Sequence, residues 1–312
     1  MPSYDISKLK IPIICGPTAA GKTSVALRLA EESGYEIISA DSRQIVKEMN
    51  IGTAKPTADE LQRAVHHFID IIYPDNEIYN SYMYGNKVRE LLSKLYSEGK
   101  KALICGGSGL YIESAVHGFF EDMGIDDTEK LKYRKEFEAE NIADLYERLK
   151  LIDPEYAQSI PPANKQRIYR ALEVHHFTGR KISELHTAHT PDQYFQPVYI
   201  GINSEREKLY EKINDRVLKM IEAGLIEEVK RLAEKYGYDL KRFKKTIGYK
   251  EVIEYIKGDI EKDTMIDEIQ KNTRHFAKRQ ITWFKRIEGM NWFEPEQFTE
   301  IKNYLLDSGF TI

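Results

Sequence analysis

The sequence of 312 residues is poor in cysteine and has no long apolar run. Its two cysteines, Cys15 and Cys105, lie in short apolar runs that predict buried strands, and neither has the histidine spacing of a zinc site. The pair His66-His67 has no partner cysteines, so packing is favoured over zinc binding. No run of about 18 apolar residues occurs, which predicts no membrane-spanning helix. The run 11–15 is too short for a signal peptide, so we expect a cytoplasmic protein.

An excess of positive charge is also missing. The chain has 46 Lys and Arg against 50 Asp and Glu, a formal net charge of −4. This balance argues against a protein that coats nucleic acid nonspecifically, but it allows a local basic groove. A composition of 41% hydrophobic and 31% charged residues is that of a folded protein. The length exceeds one ordinary core, so we expect two lobes or one core with a large insertion.

Apolar runs alternate with helical patterns in the first part of the chain. Strands are predicted at 11–15, 36–39 and 101–105, and a helix at 79–98. This alternation is typical of an α/β fold in which helices cover both faces of a parallel sheet.

The strand signal disappears between residues 120 and 190. Charged amphipathic patterns there predict helices at 129–150, 153–159, 164–178 and 181–188. An apolar strand returns at 197–202. We therefore expect an α/β core of residues 1–118 and 197–312 and an all-helical insertion domain at 119–196.

The segment between the first predicted strand and the helix that follows fits the phosphate-binding pattern G-x-x-x-x-G-K-[ST]. It consists of Gly16, Pro17, Thr18, Ala19, Ala20, Gly21, Lys22 and Thr23. Glycines let backbone N–H groups turn toward an anion, and the helix N-terminus adds positive charge. Lys22 suits terminal phosphate oxygens, and the Thr23 hydroxyl suits Mg²⁺. The loop predicts a di- or triphosphate site without identifying the ligand.

A hydrolase with this loop would carry an acid at the end of another core strand, but the third predicted strand ends in Gly106-Gly107. The nearest acid is Asp41, after the second strand, and Ser108 follows the glycines. In a parallel sheet both loops reach the edge that holds Lys22. A carboxylate there suits a base in a transfer reaction, although an N-cap at Asp41 and an ordinary turn at Gly106–Gly109 are alternatives.

Three stretches are rich in Lys and Arg. The helix predicted over 271–287 places four cations on one arc, namely Lys271, Arg274, Lys278 and Lys285. Its other arc, which can pack, carries Phe276, Gln280, Trp283 and Ile287. Residues 241–250 hold five basic residues and no acid, and Lys165, Arg167 and Arg170 recur at helical spacing. Each stretch alone fits a solvated face, but together they predict a groove for a polyanion such as RNA.

Eight segments carry a family resemblance. They are GPTAAGKT at 16–23, ISADS at 38–42, IGTAKP at 51–56, HHFID at 66–70, GGSGLY at 106–111, QRIYRALE at 166–173, IGYK at 247–250 and AKRQITWF at 277–284. Over essentially its full length the chain resembles the tRNA isopentenyltransferase family. The resemblance implies a P-loop NTPase-like parallel sheet core with an all-helical insertion domain.

The resemblance also implies an activity. A dimethylallyl group would pass from dimethylallyl diphosphate to the N6 amine of the adenosine 3′ of the anticodon, in tRNAs that read codons beginning with U. The phosphate loop would bind this diphosphate with Mg²⁺ as cofactor, although such loops are often assigned to ATP. The insertion would grip the anticodon stem-loop, and we expect a monomer.

By the same resemblance, Asp41 is the expected base, and Ser108 and Lys22 are further catalytic residues. Lys245 joins the loop 16–23 in binding the diphosphate, and Thr23 is the metal ligand. The expected tRNA contacts are Asp41, Ser42, Arg43, Gln44, Ser108, Arg134, Gln166, Arg167, Ile168, Tyr169, Arg170, Lys245, Lys250, Lys278, Arg279 and Gln280.

Some positions depart from the family pattern. The family usually has an aromatic residue, an arginine and a glycine where Val46, Lys47 and Glu48 stand, and Arg43 is unusual. Lys245 replaces an arginine, which keeps the charge but loses the bidentate fork. These differences bear on the diphosphate clamp and on base contacts.

Other functions are open from the residues alone. A nucleotide or sugar-type kinase would use the loop and Asp41, but it leaves the insertion and the basic C-terminal helix unexplained. Prenyl transfer to free AMP is disfavoured by the long insertion. An RNA-binding module with an inactive loop predicts that Asp41 is dispensable.

Overall fold

The computed structural model describes residues 4–76, 78–118, 127–188 and 193–312. The chain forms two compact units, one of Met1–Val116 with Gln193–Ile312 and one of His117–Asp192. The chain rejoins the larger unit before residue 197, because the Tyr194 N–H donates to the Val116 carbonyl and the Gln196 N–H to the Leu9 carbonyl, both at 2.8 Å.

The larger unit is built on one parallel sheet. Its strands are β1 (Lys10–Cys15), β2 (Tyr35–Ser39), β3 (His66–His67), β4 (Lys101–Gly106), β5 (Gln196–Ile202) and β6 (Asn291–Phe293). Their spatial order is β3-β2-β4-β1-β5-β6, and every neighbouring pair is parallel. The four predicted strands are confirmed to within one residue at each end. The strands β3 and β6, of two and three residues, are too short to give a periodic signal.

The central strands alternate between two buried apolar clusters. Ile13 and Ile38 belong to one cluster, whereas their neighbours Ile14 and Ile37 belong to the other. Both faces of the sheet are therefore covered, which explains why the strands are continuous apolar runs in the sequence.

The helices follow in chain order. They are α1 (Lys22–Ser33), α2 (Ala58–Arg63), α3 (Ser81–Ser97), α4 (Gly109–His117), α5 (Asp127–Ala139), α6 (Ile142–Ile152), α7 (Pro154–Ser159), α8 (Lys165–Thr178), α9 (Ile182–Ala188), α10 (Arg206–Glu222), α11 (Leu225–Tyr236), α12 (Lys241–Lys244), α13 (Tyr249–Ile256), α14 (Lys262–Phe284) and α15 (Phe298–Asp307). No helix within the described ranges combines the length and apolarity needed to cross a bilayer.

The smaller unit contains the helices α5 to α9, and no strand occurs within its described residues 127–188. Its core is separate, with Phe137, Leu145 and Leu149 almost fully buried. The helix expected over 129–150 is two helices, because Asn141 caps the start of α6 by accepting the Ala143 N–H at 2.9 Å.

Arg89 of α3 lies where the chain leaves and re-enters the larger unit. Its Nη1 donates to the carbonyls of Ser114 and Ala115 at 2.5 and 3.3 Å, near the end of α4. The guanidinium carbon also lies 4.1 Å from the centroid of the Tyr194 ring. One side chain therefore fixes both ends of the chain at this junction.

Candidate active site

The phosphate loop connects β1 to α1. Ala19 takes a left-handed conformation with φ 63°, and α1 begins after Gly21 without a side-chain cap from the described residues. A helix start without a side-chain cap leaves N–H groups that can bind an anion. The Lys22 ammonium donates to the Pro17 carbonyl at 2.7 Å. Burial lowers the pKa of Lys22, and the nearby Asp41 carboxylate opposes this effect.

The ends of β2 and β4 are joined directly beside this loop. The Ser108 hydroxyl accepts the Ser42 N–H at 2.9 Å, and the Ser108 N–H donates to the Ala40 carbonyl at 3.0 Å. Asp41 Oδ1 accepts the Arg43 N–H at 2.8 Å, which fixes one edge of the carboxylate. The structure thus brings Asp41 and Ser108 together at the edge that carries the phosphate loop.

A cavity of about 680 Å³ opens at this edge of the sheet, a size suited to a small-molecule ligand. Its polar side includes Thr18, Asp41, Ser42, Arg43, Ser108 and Arg216. Its apolar side includes Ile213, Val217, Met220, Ile269, Phe276 and Trp283. Thr18 of the phosphate loop, the Asp41 carboxylate and an apolar wall therefore border one space.

Arg216 of α10 is a cation that the sequence patterns did not single out. Its Nη1 donates to the Thr18 hydroxyl at 3.3 Å. Burial lowers the pKa of Arg216, and the nearby Asp41 carboxylate opposes this effect without reversing it. A signal exists in the sequence, because Arg216 lies on the same helical stripe as the buried Leu209 and Ile213. A cation on the apolar stripe of a helix indicates an internal partner.

Gln280, expected as a tRNA contact, is buried between two loops. Its side-chain carbonyl accepts the Thr18 N–H, and its amide nitrogen donates to the Gly107 carbonyl, both at 2.9 Å. Gly107 permits this approach, because a Cβ there would lie 2.3 Å from Gln280 Nε2. Gln280 is 7% exposed, and both its side-chain oxygen and its side-chain nitrogen are hydrogen-bonded within the protein. The side chain therefore links the loops after β1 and β4.

The basic segment 241–250 contributes to the cavity wall. Arg43 Nη2 donates to the Lys245 carbonyl at 3.0 Å, and the exposed Lys245 side chain lies at the cavity. Arg242 Nε donates to the Pro74 carbonyl at 2.8 Å, and its Nη2 donates to the Asn76 carbonyl. Lys245 and Arg43 thus lie side by side at the cavity.

The cation row expected along 271–287 is only partly open. Lys271 pairs with Glu268 at 2.9 Å, and Arg274 donates to the Asn214 side chain at 2.6 Å. Lys278 is exposed on the same helix.

Phe276 and Trp283 line the cavity. Phe276 is 37% exposed, whereas Trp283 and Ile287 also pack against the core, as the expected packing arc requires. The fully buried positions of α14 include Ala277 and Phe284. Arg279 also lines the cavity, with its guanidinium 5.7 Å from the centroid of the Phe276 ring, and Lys250 pairs with Glu254 at 3.6 Å.

In the smaller unit, α8 carries most of the residues expected to bind tRNA. Gln166 and Arg167 are exposed at its start, whereas Ile168 is fully buried. The Ile168 side chain therefore supports the helix and cannot contact RNA. Tyr169 stacks on Phe137 with ring centroids 5.5 Å apart.

Glu173 of α8, fully buried, sets the position of Arg134. Its Oε2 accepts Nε and Nη2 of Arg134 at 3.1 and 2.7 Å. Arg170 Nη1 lies 3.9 Å from the same oxygen. Arg134 and Arg170, two of the arginines expected to bind tRNA, thus share one buried carboxylate.

The histidine pair of β3 is engaged within the protein. His66 Nδ1 lies 2.9 Å from the Ala64 carbonyl, and His67 Nε2 lies 2.6 Å from Glu36 Oε2. No group of three or more His, Cys, Asp or Glu side chains able to hold a metal occurs in the described residues. The exposed Thr23 hydroxyl, at the start of α1, is a donor atom that Mg²⁺ accepts when substrate oxygens complete its shell.

The fold and the site together define a P-loop α/β protein built for group transfer, in which the phosphate cradle opens on an apolar wall and a carboxylate. A family model described as IPP transferase matches residues 44–287. The chain belongs to the IPP transferase family.

Individual relatives agree with this assignment. The tRNA dimethylallyltransferase of Thermotoga maritima is 46% identical over 301 residues, which cover 95% of this chain and 97% of the relative. The solved structure of the full-length tRNA isopentenylpyrophosphate transferase from Bacillus halodurans is 34% identical, with a TM-score of 0.71 and 96% of each chain covered. A solved eukaryotic dimethylallyltransferase acting on tRNA has a TM-score of 0.82 at 24% identity, covers 97% of this chain and 80% of its own, and supports the fold.

Proposed function

We propose that this protein transfers a dimethylallyl group from dimethylallyl diphosphate to the N6 amine of the adenosine 3′ of the anticodon in tRNA. One observation carries the proposal within the family: Thr18 of the phosphate loop, the Asp41 carboxylate and an apolar wall border a single cavity. A donor with an anionic head and a C5 tail requires the cradle and the wall, and an amine acceptor requires the carboxylate.

The donor diphosphate would occupy the N–H groups of the loop 16–21 and the start of α1. Lys22, Arg216 and Lys245 supply the positive charge that stabilises the leaving group as its C–O bond breaks. Thr23 would hold Mg²⁺, which adds to this charge neutralisation when bound. The dimethylallyl tail would lie against the apolar side of the cavity.

The acceptor amine is a weak nucleophile, since its lone pair is delocalised into the adenine ring. The bond from N6 to the allylic carbon forms as the carbon–oxygen bond of the donor breaks, and diphosphate leaves. Asp41 accepts the N6 proton. Its carboxylate is oriented by the Arg43 N–H, and Ser108 holds the neighbouring Ser42. The adenine must leave its stack to reach this cavity.

The tRNA would be held through its phosphates by exposed cations of both units. The exposed cations are Arg167 in the smaller unit and Lys245, Lys250, Lys278 and Arg279 in the larger unit. The proposed further contacts are the exposed amide of Gln166 and the half-buried side chains of Arg43, Arg134, Tyr169 and Arg170. We propose residues 119–196 as the part that grips the anticodon stem-loop. The protein is proposed to act as a cytoplasmic monomer.

The test is a reconstituted reaction. The purified chain is incubated with dimethylallyl diphosphate, Mg²⁺ and unmodified tRNA that carries adenosine 3′ of the anticodon, and nucleosides are analysed by mass spectrometry. We expect dimethylallyl-adenosine only at that position, and none with guanosine there. Absence of this product contradicts the proposal, ATP consumption without it favours a kinase, and preferred modification of AMP changes the acceptor class.

A further inference from the structure

Glu228 of α11 is a buried carboxylate that lies outside the cavity. It is 7% exposed. Its Oε2 accepts the N–H of Asn50 at 3.0 Å, both oxygens accept the N–H of Ile51 at 2.9 and 3.1 Å, and Oε1 accepts the N–H of Gly52 at 3.2 Å. The Tyr249 hydroxyl donates to Oε1 at 2.6 Å. Consecutive backbone N–H groups that surround a carboxylate form charge-assisted hydrogen bonds with strict geometry.

The loop held by Glu228 forms part of the cavity wall through Gly52, Thr53 and Ala54. Its backbone is constrained. Ala54 is left-handed with φ 48°, and a Cβ on Gly52 would lie 2.5 Å from Cε2 of Tyr249. A loop with such a conformation needs an external anchor, and Glu228 provides one.

The same loop is connected to the proposed base. Gln44 Nε2 donates to the Ala54 carbonyl at 2.9 Å, and Gln44 Oε1 accepts the Ser39 hydroxyl at 3.1 Å. The backbone N–H of Gln44 approaches Asp41 Oδ1 at 3.4 Å. A continuous chain of contacts therefore runs from Glu228 through the loop and Gln44 to Asp41.

We propose that Glu228 is a positioning residue for the transfer reaction: its carboxylate holds the loop 50–54 and, through Gln44, sets the orientation of Asp41 toward the acceptor. The inference rests on the proposed role of Asp41. Glu228 touches neither the phosphate loop nor the apolar wall in the described contacts, so its effect falls on the acceptor side of the reaction.

The test is Glu228→Gln in the full chain, with Glu227→Gln as the matched control. Glu227 is the preceding residue of α11 and is exposed. Glu228→Gln is expected to lower kcat about 10- to 30-fold, since neutralisation removes charged acceptors from buried N–H groups. The KM for dimethylallyl diphosphate is expected to stay within about twofold, and the control is expected to keep both constants.

A double-variant experiment separates positioning from simple support of the fold. In a Gln44→Ala background, Glu228→Gln is expected to lower kcat by less than about threefold further, because both substitutions break one path. If the fold-loss in kcat of the double variant equals the product of the two single-variant losses, the inference is overturned.

If Glu228→Gln fails to fold, Tyr249→Phe removes only one hydroxyl from the carboxylate. It is expected to lower kcat about threefold with an unchanged KM for the diphosphate. An unchanged kcat in every folded variant would also overturn the inference. Asp41→Asn is assayed in parallel. If Asp41→Asn keeps full turnover, the proposed role of Asp41 as base is wrong, whatever the result for Glu228→Gln. If Asp41→Asn is slow and every Glu228-path variant keeps full kcat, only the positioning role of Glu228 is overturned.

Discussion

The backbone N–H of Thr18 donates to the side-chain carbonyl of Gln280 at 2.9 Å, so a residue of α14 holds the start of the phosphate cradle. The other end of the same amide holds Gly107 beside Ser108. The cradle and the loop after β4 are thus spaced by one buried side chain, far from both in the sequence.

Gln280→Ala should raise the KM for dimethylallyl diphosphate about tenfold, because two buried backbone groups lose their partner and the cradle loosens. Steady-state kinetics with the diphosphate varied measure this effect. Thr282→Ala is the control, since its exposed hydroxyl donates to the Lys278 carbonyl of its own helix. A rise confined to the KM for tRNA would instead identify Gln280 as an RNA contact.

Asp41→Ala should lower turnover about 100-fold or more while tRNA affinity is retained, because the base acts in the chemical step. Single-turnover rates and tRNA binding are measured on the same preparation. Asp59→Ala removes an exposed carboxylate from α2 and should change neither. Unchanged turnover in Asp41→Ala would support an RNA-binding module with an inactive loop.

Arg216→Lys should raise the Kd for the diphosphate donor about tenfold, and Arg216→Ala about 100-fold. Lysine keeps the charge but lacks the planar fork that reaches both a phosphate and the Thr18 hydroxyl. The measurement is donor affinity by isothermal titration, with Arg231→Lys on the exposed side of α11 as control. Equal affinity in all three variants would remove Arg216 from the diphosphate site.

Glu48 has φ 66°, a conformation that favours glycine, and its carboxylate accepts hydrogen bonds from Lys235 at 2.9 Å and from the Tyr236 hydroxyl at 2.7 Å. Both Glu48→Gly and Glu48→Ala lose these contacts, but only glycine relieves the backbone. Glu48→Ala should therefore be less stable than Glu48→Gly by about 1 kcal/mol. Urea unfolding of the two variants tests the order, and the reverse order would contradict a left-handed residue here.

Asp153 gives the smaller unit a pH-dependent anchor. Burial alone would raise the pKa of Asp153, but hydrogen bonds from the backbone N–H groups of Ser183 and Tyr156 outweigh it, so the pKa is lowered. A lowered pKa stabilises the fold above about pH 4, the value in the unfolded chain, and this stabilisation disappears as the pH falls through the lower folded value.

Asp153→Asn should therefore destabilise the protein at pH 7 by about 1–2 kcal/mol and much less near pH 3. Thermal unfolding at the two pH values measures the difference. Asp144→Asn, on the exposed side of α6, is the control and should show no such dependence. A loss that is equal at both pH values would show that the charge of Asp153 is not involved.

Features that depend on neighbouring residues in the sequence are predictable, whereas features that depend on contacts between distant residues are not. The phosphate loop follows from consecutive residues, and the placement of Asp41 beside Ser108 follows from a rule about strand ends. Arg216 was missed because its partner Thr18 is 198 residues away. The family motifs predict RNA contacts for Gln280 and Ile168, but both side chains are buried, and a motif does not reveal burial. Glu228 gave no signal either, since a single glutamate in an amphipathic helix is usually solvated.

The junction at Arg89 has a consequence for how this architecture changes. The Tyr194 N–H donates a hydrogen bond to the Val116 carbonyl at 2.8 Å. The chain therefore leaves the larger unit and rejoins it at adjacent positions. The free-energy cost of closing a loop grows only slowly with its length. The segment 117–192 can therefore lengthen, shorten or be exchanged for another folded element while the sheet, the phosphate loop and Asp41 keep their positions.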